Sequence, residues 1–134
     1  MFSLVLLGAL MAGAPAGDVT VDVAKGDFKR LPAVKIQRDL PTPAMVETVQ
    51  RIIGSGTCKL PGQNSRKFDV VVPFAVEVTP DGTTRHVMVA DKGCPPLESF
   101  VGEIVLKLAA MGDFASYHTP RTQWVASEIN FTQQ

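Results

Sequence analysis

Between Val70 and Met111 the hydrophobic period changes once, from that of a strand to that of a helix, and a tight turn precedes the change. That order admits few folds beyond those packing a helix on a β-hairpin. Val70, Val72, Phe74, Val76 and Val78 occupy alternate positions, as a strand with one buried face requires. Thr79-Pro80-Asp81-Gly82 then places proline where φ must be near −65° and glycine where φ turns positive, so the chain reverses. Val87 and Val89 supply the apolar face of the returning strand. After Asp91-Lys92-Gly93, residues Leu97, Phe100, Val101, Ile104, Val105, Leu108 and Met111 recur at helical spacing, which puts Glu98, Glu103 and Lys107 on the opposite, solvated side.

The flanks extend this unit. Thr42 is a capping residue ahead of Pro43, whose missing N–H costs nothing at the first helical position, so a helix is expected from Ala44 to Ile53. Its apolar face is Met45, Val46, Val49, Ile52 and Ile53, and Gly54-Ser55-Gly56 stops it. Val19, Val21 and Val23 alternate with polar residues, giving a short segment that is either an edge strand or a loose arm. Phe28 to Leu40 is basic, contains Pro32, lacks a helical period and is read as extended. Beyond Gly112-Asp113-Phe114 a polar stretch with Tyr117 and His118 leads to a last strand. There Val125, Ser127, Ile129 and Phe131 face one way, and Trp124, Ala126, Glu128 and Asn130 the other.

The 134 residues suit one domain, without repeats or a dividing linker. Basic and acidic residues balance at 13 each, which provides no global charge for nucleic acid. Basic residues dominate between Lys25 and Lys67 and acidic ones from Asp69 onward, the pattern of two differently charged faces. Phe2 to Ala16 is almost entirely apolar or small, too short to span a bilayer but of secretory length, and Ala14-Pro15-Ala16 has the form of a cleavage site. Export with a mature start at Gly17 is the expectation. Cys58 and Cys94 are then an even pair in an oxidising compartment, which favours a structural disulfide stabilising the fold by about 4 kcal/mol on the chain-entropy model.

Catalytic chemistry finds little footing. His86 and His118 are too far apart for a helical metal pair and lack a third ligand. No Gly-x-Ser-x-Gly or comparable nucleophile arrangement occurs. Glu98 and Glu103 read as solvated helix residues, and His86 as an ordinary hairpin histidine facing solvent. No catalytic residue, metal or cofactor is expected.

From Pro43-Ala44 through Phe74-Ala75-Val76-Glu77-Val78-Thr79-Pro80-Asp81-Gly82, Val87-Met88-Val89, Leu97 to Leu108, Phe114 and Trp124 to Phe131, the chain resembles the C-terminal domain of the TonB family. The resemblance implies an α+β fold, two helices on a three-stranded antiparallel sheet in α-β-β-α-β order, spanning residues 41–134 behind a signal peptide (1–16) and an N-terminal arm (17–40). It further implies a periplasmic module that binds a protein or peptide, such as an outer-membrane receptor segment, by adding it to the sheet edge. The edge residues on this reading are Trp124, Ala126, Glu128 and Asn130, with backbone from Val125 to Phe131. Thr42-Pro43 stands where the family commonly has Tyr-Pro, and only about 25 residues separate the leader from the first helix, a reach of about 85 Å. Those departures place a membrane-anchored energy transducer second. A small secreted inhibitor or enzyme on an α+β scaffold is third, and self-pairing of two copies through the edge strand competes with partner binding.

Overall fold

The computed structural model describes residues 19–114 and 120–134, so the leader with its cleavage site and the stretch holding Tyr117 and His118 lie outside the described residues. Within them the chain is α+β, with two helices and a four-stranded mixed sheet. In chain order the elements are β1 (Thr20–Ala24), α1 (Pro43–Gly54), β2 (Phe68–Val78), β3 (Thr84–Ala90), α2 (Pro95–Ala110) and β4 (Gln123–Gln133). Across the sheet the order is β1-β3-β2-β4.

The hairpin forms where the alternation and turn chemistry place it. Gly82 takes φ 87° and donates its N–H to the Thr79 carbonyl at 2.9 Å, while Thr79 N–H bonds the Thr83 carbonyl at 2.9 Å. β2 is central, pairing antiparallel with β3 over Phe74–Val78 and with β4 along its whole length. Pro73 explains why the β3 ladder begins only at Phe74. Its nitrogen lies on the β3 side, and a proline has no hydrogen to donate there.

The expected three-stranded antiparallel sheet is corrected by β1. This segment pairs with β3 in parallel, Val21 opposite Val87 and Val23 opposite Val89. Its valines point to the helix side, and a Cβ placed on Gly102 of α2 would stand 2.9 Å from Val21 Cγ1. The missing side chain lets β1 and α2 approach, and the backbone edge of β3 is thereby covered.

All five residues from Val70 to Val78 of the buried face are at most 5% exposed, and they meet Val87, Val89, Val125, Ile129 and Phe131 beneath the helices. α1 is capped by Thr42, whose Oγ1 accepts from Met45 N–H at 3.2 Å, and it inserts Val49 into the core. The buried side of α2 is wider than the period suggests. Met111 falls beyond the helix and is 53% exposed, and Glu98, expected on the solvated side, is 5% exposed. Glu98 Oε2 accepts the N–H groups of Lys92 at 2.6 Å and Cys94 at 3.2 Å, so the carboxylate closes the helix start and lies at its positive end. Cys94, at that N-cap, is disulfide-bonded to Cys58, with Cα atoms 5.1 Å apart.

After β1 the chain bends at Gly26 (φ 115°) and Phe28 (φ 60°) and reaches the far edge of the sheet. There Ala33 forms a parallel bridge with Ala126 of β4. Four strand spacings separate the two places, roughly 19 Å. The eight residue steps from Ala24 to Pro32 reach about 27 Å at most, so the crossing has little slack.

Candidate functional site

β4 forms the outer edge beyond β2, and its residues divide sharply by the direction of their backbone groups. Ala126 N–H donates to Pro32 O at 2.9 Å and Ala126 O accepts from Val34 N–H at 2.8 Å, so the groups of Ala126 point away from β2. By the alternation of an antiparallel ladder, those of Trp124, Glu128, Asn130 and Thr132 do too. Val125, Ile129 and Phe131 turn their backbone groups toward β2 and their side chains into the core, each at most 2% exposed. Of the six residues expected to form a docking edge, Val125 and Phe131 thus build the sheet, and Ala126 is already paired with the arm.

Glu128 and Asn130 remain, joined by Thr132, and all three side chains are exposed. Among the described residues, no main-chain hydrogen bond reaches their outward N–H and C=O groups. The side chains form a polar border: Thr132 Oγ1 lies 3.2 Å from both Asp69 Oδ1 and Asn130 Oδ1. Alongside, the arm leaves β4 after Val34 and opens a groove of about 450 Å³ between Lys35, Ile36 and Arg38 on one wall and Ser127 and Glu128 on the other.

Trp124 leans over the sheet instead of outward. It is half-buried, and its ring stacks on His86 with centroids 6.1 Å apart and planes 29° apart. The two strands flank β2, and Glu77 sits in register with both residues. His86 Nδ1 lies 2.6 Å from Glu77 Oε1 in a hydrogen bond, which fixes the imidazole under the indole. His86 is therefore a half-exposed member of a three-residue row, not the free solvent-facing histidine expected. Glu77 escaped attention in the sequence because the row exists only through register across three strands. Only the position of Glu77 between the buried Val76 and Val78, one residue from each, hinted that it faces away from the helices.

A second concavity, of about 470 Å³, lies between the arm and the helices and is lined chiefly by Leu40, Met45, Ile104, Leu108 and Met111. At its rim Arg38 Nε bonds Asp113 Oδ2 at 2.7 Å, a contact that raises the guanidinium pKa above its ordinary value, by hydrogen bonding first and charge second. Asp113 is the better buried partner, its side chain 8% exposed, so the pair anchors the arm to the turn after α2. The lining residues carry no paired nucleophile and base. Among the described residues no three His, Cys, Asp or Glu side chains are placed to hold a metal ion, and no helix is long and apolar enough to cross a membrane.

What the site offers is therefore main-chain hydrogen bonding along an edge, bordered by exposed polar side chains. Comparison with family models, with curated proteins and with solved structures finds no match for this chain.

Proposed function

We propose that the chain is an exported, periplasmic, non-enzymatic binding module that takes up an extended segment of a protein partner as an added strand on β4. One observation carries this reading. The outward N–H and C=O groups of Glu128, Asn130 and Thr132 have no main-chain partner among the described residues, on a strand whose other side is held rigidly by β2. An edge of this kind gives affinity through main-chain hydrogen bonds and selectivity through flanking side chains. The element order from α1 to β4 is also that of the TonB C-terminal domain, in which an outer-membrane receptor segment is the strand taken up, and we carry that partner class over as part of the proposal.

The test uses proline as a selective probe of direction. Asn130→Pro removes an N–H that points away from β2, a substitution edge strands tolerate. Its expected result is native circular dichroism together with loss of partner capture by a photocrosslinker placed at Glu128 in the periplasm. Capture undiminished in that variant would rule out main-chain pairing at this edge, and capture of only a second copy of the chain would replace the receptor segment with self-association.

A further inference from the structure

We propose that the arm segment Pro32–Val34 is a displaceable plug, which keeps the middle of the β4 edge closed until a partner strand takes its place. The proposal rests on the edge-strand reading above and concerns what stands in the partner's way. A strand pairing with β4 from Trp124 to Thr132 must use the N–H and C=O of Ala126, and both are held by the arm, through Pro32 O at 2.9 Å and Val34 N–H at 2.8 Å.

The arm makes the least pairing that can occupy that position. Continuing the parallel ladder toward Trp124 would need an N–H from residue 32, and Pro32 has none. Continuing it toward Glu128 would need Val34 O and Ile36 N–H, and neither bonds β4, because the chain diverges there and leaves the groove beside Ser127 and Glu128. The contact is one isolated bridge. It is nevertheless well tethered. Upstream β1 is paired through Ala24, and downstream Ile36 and Leu40 pack against the core while Arg38 holds Asp113. Release of residues 32–34 is therefore local and reversible, since both flanks stay docked and the crossing lacks the slack to slide along β4.

A plug of this form also protects the protein. An eleven-residue edge interrupted at Ala126 presents the shorter stretch from Glu128 to Thr132 to a second copy in place of an unbroken one.

The experiment is a titration of the isotope-labelled full chain with a synthetic peptide of residues 30–38, followed through backbone amide resonances. The plug predicts that Val34 and Ala126 shift together with Glu128 and Asn130 as the peptide replaces the tethered copy. It also predicts that Val34→Pro, which removes one of the two bonds, binds the peptide about tenfold more tightly, because a larger fraction of the protein is competent. Shifts at Glu128 and Asn130 with Val34 and Ala126 unmoved would overturn the plug and leave the edge reading standing. Absence of any β4 response in the wild-type chain would overturn both, and the wild-type titration decides the matter even where the proline variant fails to fold.

Discussion

At one side of the sheet β1 pairs with β3 along all five of its residues and seats Val21 against Gly102, whereas at the other the eleven residues of β4 meet the arm in a single bridge at Ala126. Both coverings come from the same N-terminal segment, so the difference lies in the sequence of its two halves. Thr20–Ala24 alternates valine with polar residues and can form a ladder. The stretch around Ala33 has proline on one side and diverges after Val34. One flank is extended by a fully paired strand, so that β1 itself becomes a five-residue outer edge, and the other, the eleven-residue β4, is interrupted by a peg.

The largest effect that separates the two directions of β4 should come from Ile129→Pro. Ile129 turns its N–H toward β2 opposite Val72 and is 2% exposed, so the change removes a ladder bond and a core side chain together. The expected loss is about 5 kcal/mol, most of what holds a small domain together. Urea unfolding should find little native protein, in contrast to Asn130→Pro one position away. Similar midpoints for the two variants would mean that the alternation of inward and outward groups along β4 is wrong.

A smaller effect is expected at the β1 edge. Gly102→Ala adds a methyl 2.9 Å from Val21 Cγ1, and a stiff β-branched side chain cannot swing clear as a lysine would. Overpacking of this kind costs about 1–3 kcal/mol, against about 1 kcal/mol returned by alanine in a helix. The expected outcome is a net loss of about 1 kcal/mol, with amide exchange quickened in β1 and unchanged in β4. Equal quickening at both edges would show that β1 and the arm behave as one cooperative piece.

The hairpin, both helices, the last strand and the disulfide partners were legible because each rests on local periodicity, capping or cysteine count. Thr42-Pro43 and Thr79-Pro80-Asp81-Gly82 name their own structures. What was not legible depends on pairing across the sheet. Nothing in Val19 to Val23 says that it lies beside β3, parallel, instead of hanging free, and the same holds for Ala33 beside Ala126. Glu98 misled for a different reason. Helical spacing sets it apart from Leu97 and Phe100, yet Gly102 four residues on extends the buried side beneath it, and its carboxylate is buried because it accepts backbone N–H groups at the helix start.

The smallest expected effect belongs to the hairpin turn between β2 and β3, remote from either edge, and it checks that edge responses are local. Asp81 accepts hydrogen bonds from the Thr79 hydroxyl and from Thr83, including its N–H at 3.2 Å, and these hold its carboxyl below the ordinary aspartate value of 3.8. A folded-state pKa below the unfolded one means that the ionised carboxylate favours the fold. Its contribution is complete above the unfolded value and disappears as pH falls through the lower, folded one. Asp81→Asn should therefore lower the urea midpoint slightly at neutral pH, with a difference from wild type that shrinks in acid. Exposure to solvent keeps the effect small. A difference independent of pH would show that the turn depends on the shape of residue 81 and not on its charge. Altered amide exchange in β1 or β4 of this variant would mean that the hairpin and the edges are coupled, and the contrast between a fully paired outer strand and a pegged one would then belong to the sheet as a whole.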